Sequence, residues 1–107
     1  MAKFDYDETT DSLFISNKKK GEKIQGSAEI GNIIIDFTTQ GKVANIEFFG
    51  ISDYLKMAGF NPSAILNNLR EVKLNIYQQK GAILIFAQLT TPNVKKIIPL
   101  ANIPIIQ

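Results

Sequence analysis

Among its 107 residues the chain has neither cysteine nor histidine. Without cysteine there is no disulfide framework, no thiolate nucleophile and no iron–sulfur or cysteine-type zinc site. Without histidine the commonest general base, the commonest transition-metal ligand and the side chain that titrates near neutrality are missing. Ser–His–Asp and Cys–His catalysis are therefore excluded within one chain. The chain also lacks any run of the roughly 20 apolar residues that a membrane helix needs. Its longest apolar cluster, IIPLANIPII near the C-terminus, is short and interrupted by two prolines. The opening residues, MAKFDYDETTD, alternate apolar with acidic side chains and have no signal-like apolar core. These absences predict a soluble, cytoplasmic protein with no membrane contact, no metal site and no cofactor.

What is present is ordinary for a folded domain: 45% hydrophobic and 21% charged residues. A chain of 107 residues fits a single domain and buries roughly two-thirds of its unfolded surface. The net charge of +2 is too small to argue for nucleic acid, but it is unevenly spread. Residues 1–55 carry a net of −3 and residues 56–107 a net of +5. Such halves can attract within one fold or between subunits, or simply be solvated faces of unrelated strands.

The stretch Glu29 to Gly50, EIGNIIIDFTTQGKVANIEFFG, organises the first half. It reads as two hairpins sharing a central apolar strand, Ile33 to Phe37, with turns at Gly31-Asn32 and Thr38 to Gly41. Before it, Lys3–Tyr6 and Ser12–Asn17 alternate as a first hairpin around a polar turn, and Ile24–Ile30 is a modest strand with a possible bulge at Gly26. After Gly50 the period changes. Ser52 and Asp53 suit a helix start, covering Tyr54, Leu55 and Met57 until Gly59. Asn61-Pro62 opens a second helix with Ile65, Leu66 and Leu69 as its apolar stripe. Val72 to Tyr77 alternates again, with Lys73, Asn75 and Tyr77 on a wet face. Ala82 to Leu89 is apolar enough to be buried on both faces. Val94 to Leu100 is a last strand that Pro99 restricts to an edge or a strand end. The tail Leu100–Gln107 either packs across its own domain or crosses to a neighbouring subunit, because Ile103, Ile105 and Ile106 are too apolar to be left in water.

The predicted fold is α+β: a mostly antiparallel β-meander, one or two short helices after the fifth strand, then two or three further strands. The single domain divides into a meander at 1–53 and, at 54–107, a helical segment, a hairpin and an apolar tail.

Tyr6, Asp7, Asp11, Leu13, Phe14 and Ile15, followed by Asp36, Gly41, Ile46 and Glu47 with Ser52 soon after, resemble the motif of a small bacterial and archaeal family catalogued as domain of unknown function 2283. The resemblance covers about residues 4–53 and departs at Phe14, Thr38 and Asn45, where tyrosine, an acid and glycine are usual. It implies a compact β-meander followed by a helix, and no established activity. Some similar small proteins accompany toxin-like neighbours. Residues 54–107 lie outside the motif, as an extension.

No catalytic residues stand out. Asp5, Asp7 and Asp11 have part of a calcium-loop spacing but no central glycine or distal glutamate, so a polar turn is the better reading. Asp36 and Glu47, on adjacent strands, are an ambiguous acidic pair: split carboxylates for acid–base work, or partners of turn amides. Arg70, Lys73, Tyr77, Lys80, Lys95 and Lys96 are candidate binding residues for a nucleic acid or a protein partner, since an exposed aromatic among basic residues can stack bases. Lys18, Lys19 and Lys20 read as a solvated loop. Ile97, Ile98, Leu100, Ile103, Ile105 and Ile106 are a possible oligomer interface. The favoured function is a non-enzymatic interaction or assembly module forming a homo-oligomer, a dimer above all. The alternative is a nucleic-acid-binding protein of toxin–antitoxin type.

Overall fold

A computed structural model describes residues 2–104 of the chain. Its elements run β1 (Lys3–Asp7), β2 (Ser12–Ser16), β3 (Ile24–Ile30), β4 (Ile33–Thr38), β5 (Val43–Phe49), α1 (Ile51–Met57), α2 (Pro62–Leu66), β6 (Glu71–Gln79), β7 (Ala82–Thr90) and β8 (Lys95–Pro104). The α+β class and the order of strands, two short helices and three more strands are as the sequence patterns predict.

The first five strands form one antiparallel sheet in the order β1-β2-β5-β4-β3. The two hairpins of the Glu29–Gly50 stretch are present, with β4 inside the sheet. The sheet departs from a sequential meander at one point: β2 lies against β5 rather than β3, which puts β5 at the centre. This is Greek-key order, in which a strand outside a three-strand meander returns beside the meander's far member. Leu13 and Ile15 on β2, Ile33 and Ile35 on β4, and Ala44, Ile46 and Phe48 on β5 bury one face of the sheet. The irregularity expected at Gly26 is a register shift between Ile24 and Gly26.

Gly50 turns the chain into α1 with φ 75°, a conformation that glycine adopts without a Cβ penalty. Gly50, rather than Ser52, is the N-cap of that helix. Ile51 and Leu55, four residues apart, supply its buried stripe, whereas Met57 is 89% exposed. Helix α2 begins as the sequence predicts: Pro62 opens it and the Asn61 side chain accepts the Ala64 N–H at 3.2 Å. Its Ile65 and Leu66 are core residues, with Leu69 packed against them.

Strands β6, β7 and β8 form a second antiparallel sheet with β7 in the middle. The sheets meet at a backbone bridge between Ala2 and Val72, and one cluster of buried side chains runs through both of them and the helices. Helix α1 spans the layers: Tyr54 packs edge-on to Phe48 of the first sheet at 5.2 Å, and its hydroxyl donates to the Pro99 carbonyl of the second at 2.7 Å. Burial raises the Tyr54 pKa.

The second sheet corrects two expectations. Strand β7 is buried on one face only: Ile85, Ala87 and Leu89 are fully covered, but Leu84 and Phe86 on the opposite face are half-buried, because neighbouring strands shield them and no further layer does. The last strand extends to Pro104 as an edge strand, with Pro99 at a register shift, where a missing N–H is tolerated. The tail from Leu100 to Pro104 therefore pairs with β7 of its own chain; Ile105 and Ile106 lie outside the described residues. Ile98 and Leu100, placed on a possible oligomer interface, are instead buried in the core, and Ile103 packs against it.

Candidate functional site

Asp11 sits at the end of the first hairpin turn with φ 50°, the one positive φ of a non-glycine among the described residues. Its carbonyl accepts the N–H groups of Gly50 at 2.8 Å and Ile51 at 3.2 Å. Its carboxylate accepts the Ser52 N–H at 3.2 Å, the Ser52 hydroxyl at 2.6 Å and the Tyr6 hydroxyl at 2.9 Å. Free N–H groups at a helix start need acceptors, and a carboxylate there also meets the positive end of the helix dipole. Asp11 thus caps α1 from another part of the chain, the task the sequence reading gave to Ser52. Burial, reinforced by Asp11, pushes the Tyr6 pKa up to about 12. Asp7 accepts the Thr9 N–H at 2.9 Å within the turn, and Asp5 is exposed on the outer face of β1. Among the described residues no cluster of acids has metal-holding geometry.

Asp36 and Glu47 share the outer face of the first sheet without forming a pair. Asp36 stands opposite Asn45 and Ser27 and is hydrogen-bonded to both, the Asn45 amide donating at 3.1 Å. Asn45 accepts in turn from the Ser16 hydroxyl at 2.6 Å. The result is a polar ladder from β2 through β5 and β4 to β3. Glu47 stands one register further on, between Phe14 and Ile34. These bonds tie strands together and give Asp36 a structural occupation.

The candidate binding residues of the second half separate. Lys73 and Tyr77 point outward from β6, and Lys95 does so from β8, all exposed. Lys96 faces the other way, its Nζ 4.9 Å from the centroid of the Phe60 ring in a cation–π contact. Arg70 precedes β6, where its N–H bonds the Thr90 carbonyl, and Lys80 lies at the tip of the β6–β7 hairpin. The outer face of the second sheet also carries residues that the charge reading did not collect. Cross-strand rows place Lys73 by Gln88 and Ile97, Asn75 by Phe86 and Pro99, and Tyr77 by Leu84 and Asn102. Tyr77 and Phe86 meet edge-to-face at 5.9 Å. Tyr77 is 52% and Ile97 60% exposed, so an apolar strip crosses this face diagonally.

A recess of about 610 Å³ lies where the β6–β7 hairpin projects past the first sheet. Lys3, Lys18, Lys19 and Lys42 stand around it, with Val43, Ile76 and Ile83 among its lining. Sequence reasoning missed this site because its members come from five separate segments; the lysine run at 18–20 was its one local sign.

These features define a small α+β protein whose Greek-key sheet is locked to a capping helix by one aspartate. Residues 3–52 match the family described as "Protein of unknown function (DUF2283)", in agreement with the resemblance carried by the Tyr6 to Ser52 motif. The match covers the first sheet and ends at Ser52, the residue that Asp11 holds. No curated protein and no solved structure matches the chain. No helix among the described residues is long and apolar enough to cross a membrane.

Proposed function

We propose that the protein is a non-enzymatic assembly module that forms a two-fold homodimer through the outer face of its second sheet. The observation that supports this reading is the uncovered strip of Tyr77, Leu84, Phe86, Ile97 and Pro99. A closed dimer uses the same patch twice, so the patch must complement itself. This one has the required composition: apolar side chains at the middle, and Glu71 of one sign beside Lys73 and Lys95 of the other on the same face. A three-stranded face is small for an interface, which sets the expected dissociation constant on the order of micromolar. Exchange of the C-terminal arm is unnecessary, since β8 completes its own sheet.

Sedimentation equilibrium on the full chain tests the reading. The wild type should be a reversible dimer and the double variant Tyr77→Ser, Ile97→Ser a folded monomer, whose melting temperature matches that of the wild type diluted below its dissociation constant. A monomeric wild type at high micromolar concentration would overturn the proposal. Retention on heparin that falls steeply with salt would favour the nucleic-acid reading instead.

A further inference from the structure

We infer that the recess beneath the β6–β7 hairpin is a binding site for a small organic anion with an apolar body, a site separate from the association face. The argument begins with topology. The sheets meet at Ala2 and Val72, and β6 runs on from there to Gln79 while β1 leads away in the opposite direction. The far half of the hairpin therefore runs past the start of β1, and its Ile76, Gln78 and Ile83 share the recess with the loop after β2 and the turn before β5. Ile76 continues the inward-facing series of Val72 and Leu74, which are buried, yet it is 38% exposed and lines the recess. Together with Ile83 and Val43 it gives the recess an aliphatic wall.

The rim is cationic. Lys3, Lys18, Lys19 and Lys42 converge on it from the start of β1, the loop after β2 and the turn before β5. The one carboxylate among the described lining residues, Glu22, accepts the Lys19 backbone N–H at 2.7 Å and so has an occupation within its own loop. Four like charges around one recess repel each other, and an anion between them removes that cost. Lysines act as mobile point charges, without the planar fork of arginine, so they suit a carboxylate or phosphate without demanding one orientation. A volume of about 610 Å³ falls in the range of small-molecule sites, which combine apolar walls with a few polar groups that fix orientation. An anionic head at the lysine rim and an aliphatic or aryl body against Ile76 and Ile83 satisfy both halves of the lining.

Fluorescence titration of the full chain with naphthoate tests the site, with uncharged naphthamide and inorganic phosphate as controls. Naphthoate should bind at least about tenfold more tightly than either control, because each lacks one of the two required parts. Charge reversal in Lys3→Glu, Lys42→Glu and removal of the wall in Ile76→Ser should each weaken naphthoate binding about tenfold or more, with melting temperatures preserved because all three residues are exposed. The Tyr77→Ser, Ile97→Ser variant should bind naphthoate as the wild type does, which separates this site from the association face. Equal binding of phosphate and naphthoate, or wild-type affinity in Ile76→Ser, would overturn the inference.

Discussion

In the first sheet Ser16, Ser27, Asp36 and Asn45 are hydrogen-bonded across strands on the outward face, and Asp11 in the turn after β1 reaches across the fold to the start of α1. In the second sheet the outward face mixes Lys73, Asn75, Gln88 and Lys95 with an apolar strip of Tyr77, Leu84, Phe86, Ile97 and Pro99, in which Tyr77 and Phe86 pack edge-to-face. Both sheets bury their inner faces in one shared core, so the contrast concerns only what each shows to its surroundings. Tyr6, Asp11, Asp36 and Ser52 of the family-matched half are accounted for by architecture. Tyr77 and Ile97 of the other half, 52% and 60% exposed, have no such task, and surface chemistry without an internal task is where a binding role is best sought.

The largest effect that sharpens this contrast is expected at Asp11. Asp11→Ala leaves the Ser52 N–H and hydroxyl and the Tyr6 hydroxyl without their acceptor and keeps a side chain at positive φ. Loss of a charged hydrogen-bond acceptor and of a cap together predict a destabilisation of about 3 kcal/mol in chemical denaturation. Asp11→Asn, which tolerates that backbone and keeps an acceptor oxygen, should lose less than half as much. A change below about 0.5 kcal/mol for the alanine variant would break the claim that this aspartate is structural, since that is the scatter of ordinary surface substitutions.

A smaller effect is expected from Tyr6 in alkali. Its proton is held in the fold to about pH 12, against an ordinary value of 10, so the folded state binds more protons than the unfolded chain in that window. Its contribution to stability is complete below pH 10 and is lost as the pH rises towards about 12. The Tyr6→Phe variant should therefore show a shallower decline of melting temperature than the wild type over that range. Parallel curves would contradict a Tyr6 proton held by burial and by Asp11.

Much of this was legible in the chain. Alternation in Ile33–Phe37 and Val43–Phe49, the turn glycines and the Asn61-Pro62 start each reflect local chemistry, and each produced the element expected. Strand β2 docking on β5 was not legible, because alternation says which face is buried but not which edge is met. The capping role of Asp11 was hidden for a similar reason: Ser52 has the right local chemistry for a cap, and its true partner lies 41 positions away. Among candidate site residues, Lys73, Tyr77 and Lys95 came to one face, as alternation on β6 and β8 allows. Lys96 did not, since its place next to Lys95 sends it to the opposite face, and the importance of Phe86 depends on a register that composition does not carry.

The contrast between the sheets is tested most directly by recording amide and methyl NMR shifts of the wild-type chain across a dilution series spanning the expected micromolar dissociation constant. Concentration-dependent shifts should be confined to the outer face of the second sheet, at Lys73, Tyr77, Leu84, Phe86 and Ile97, with Phe14, Ile34 and Phe49 on the outer face of the first sheet unmoved. Shifts centred on that first-sheet face, or none anywhere in the chain, would contradict it.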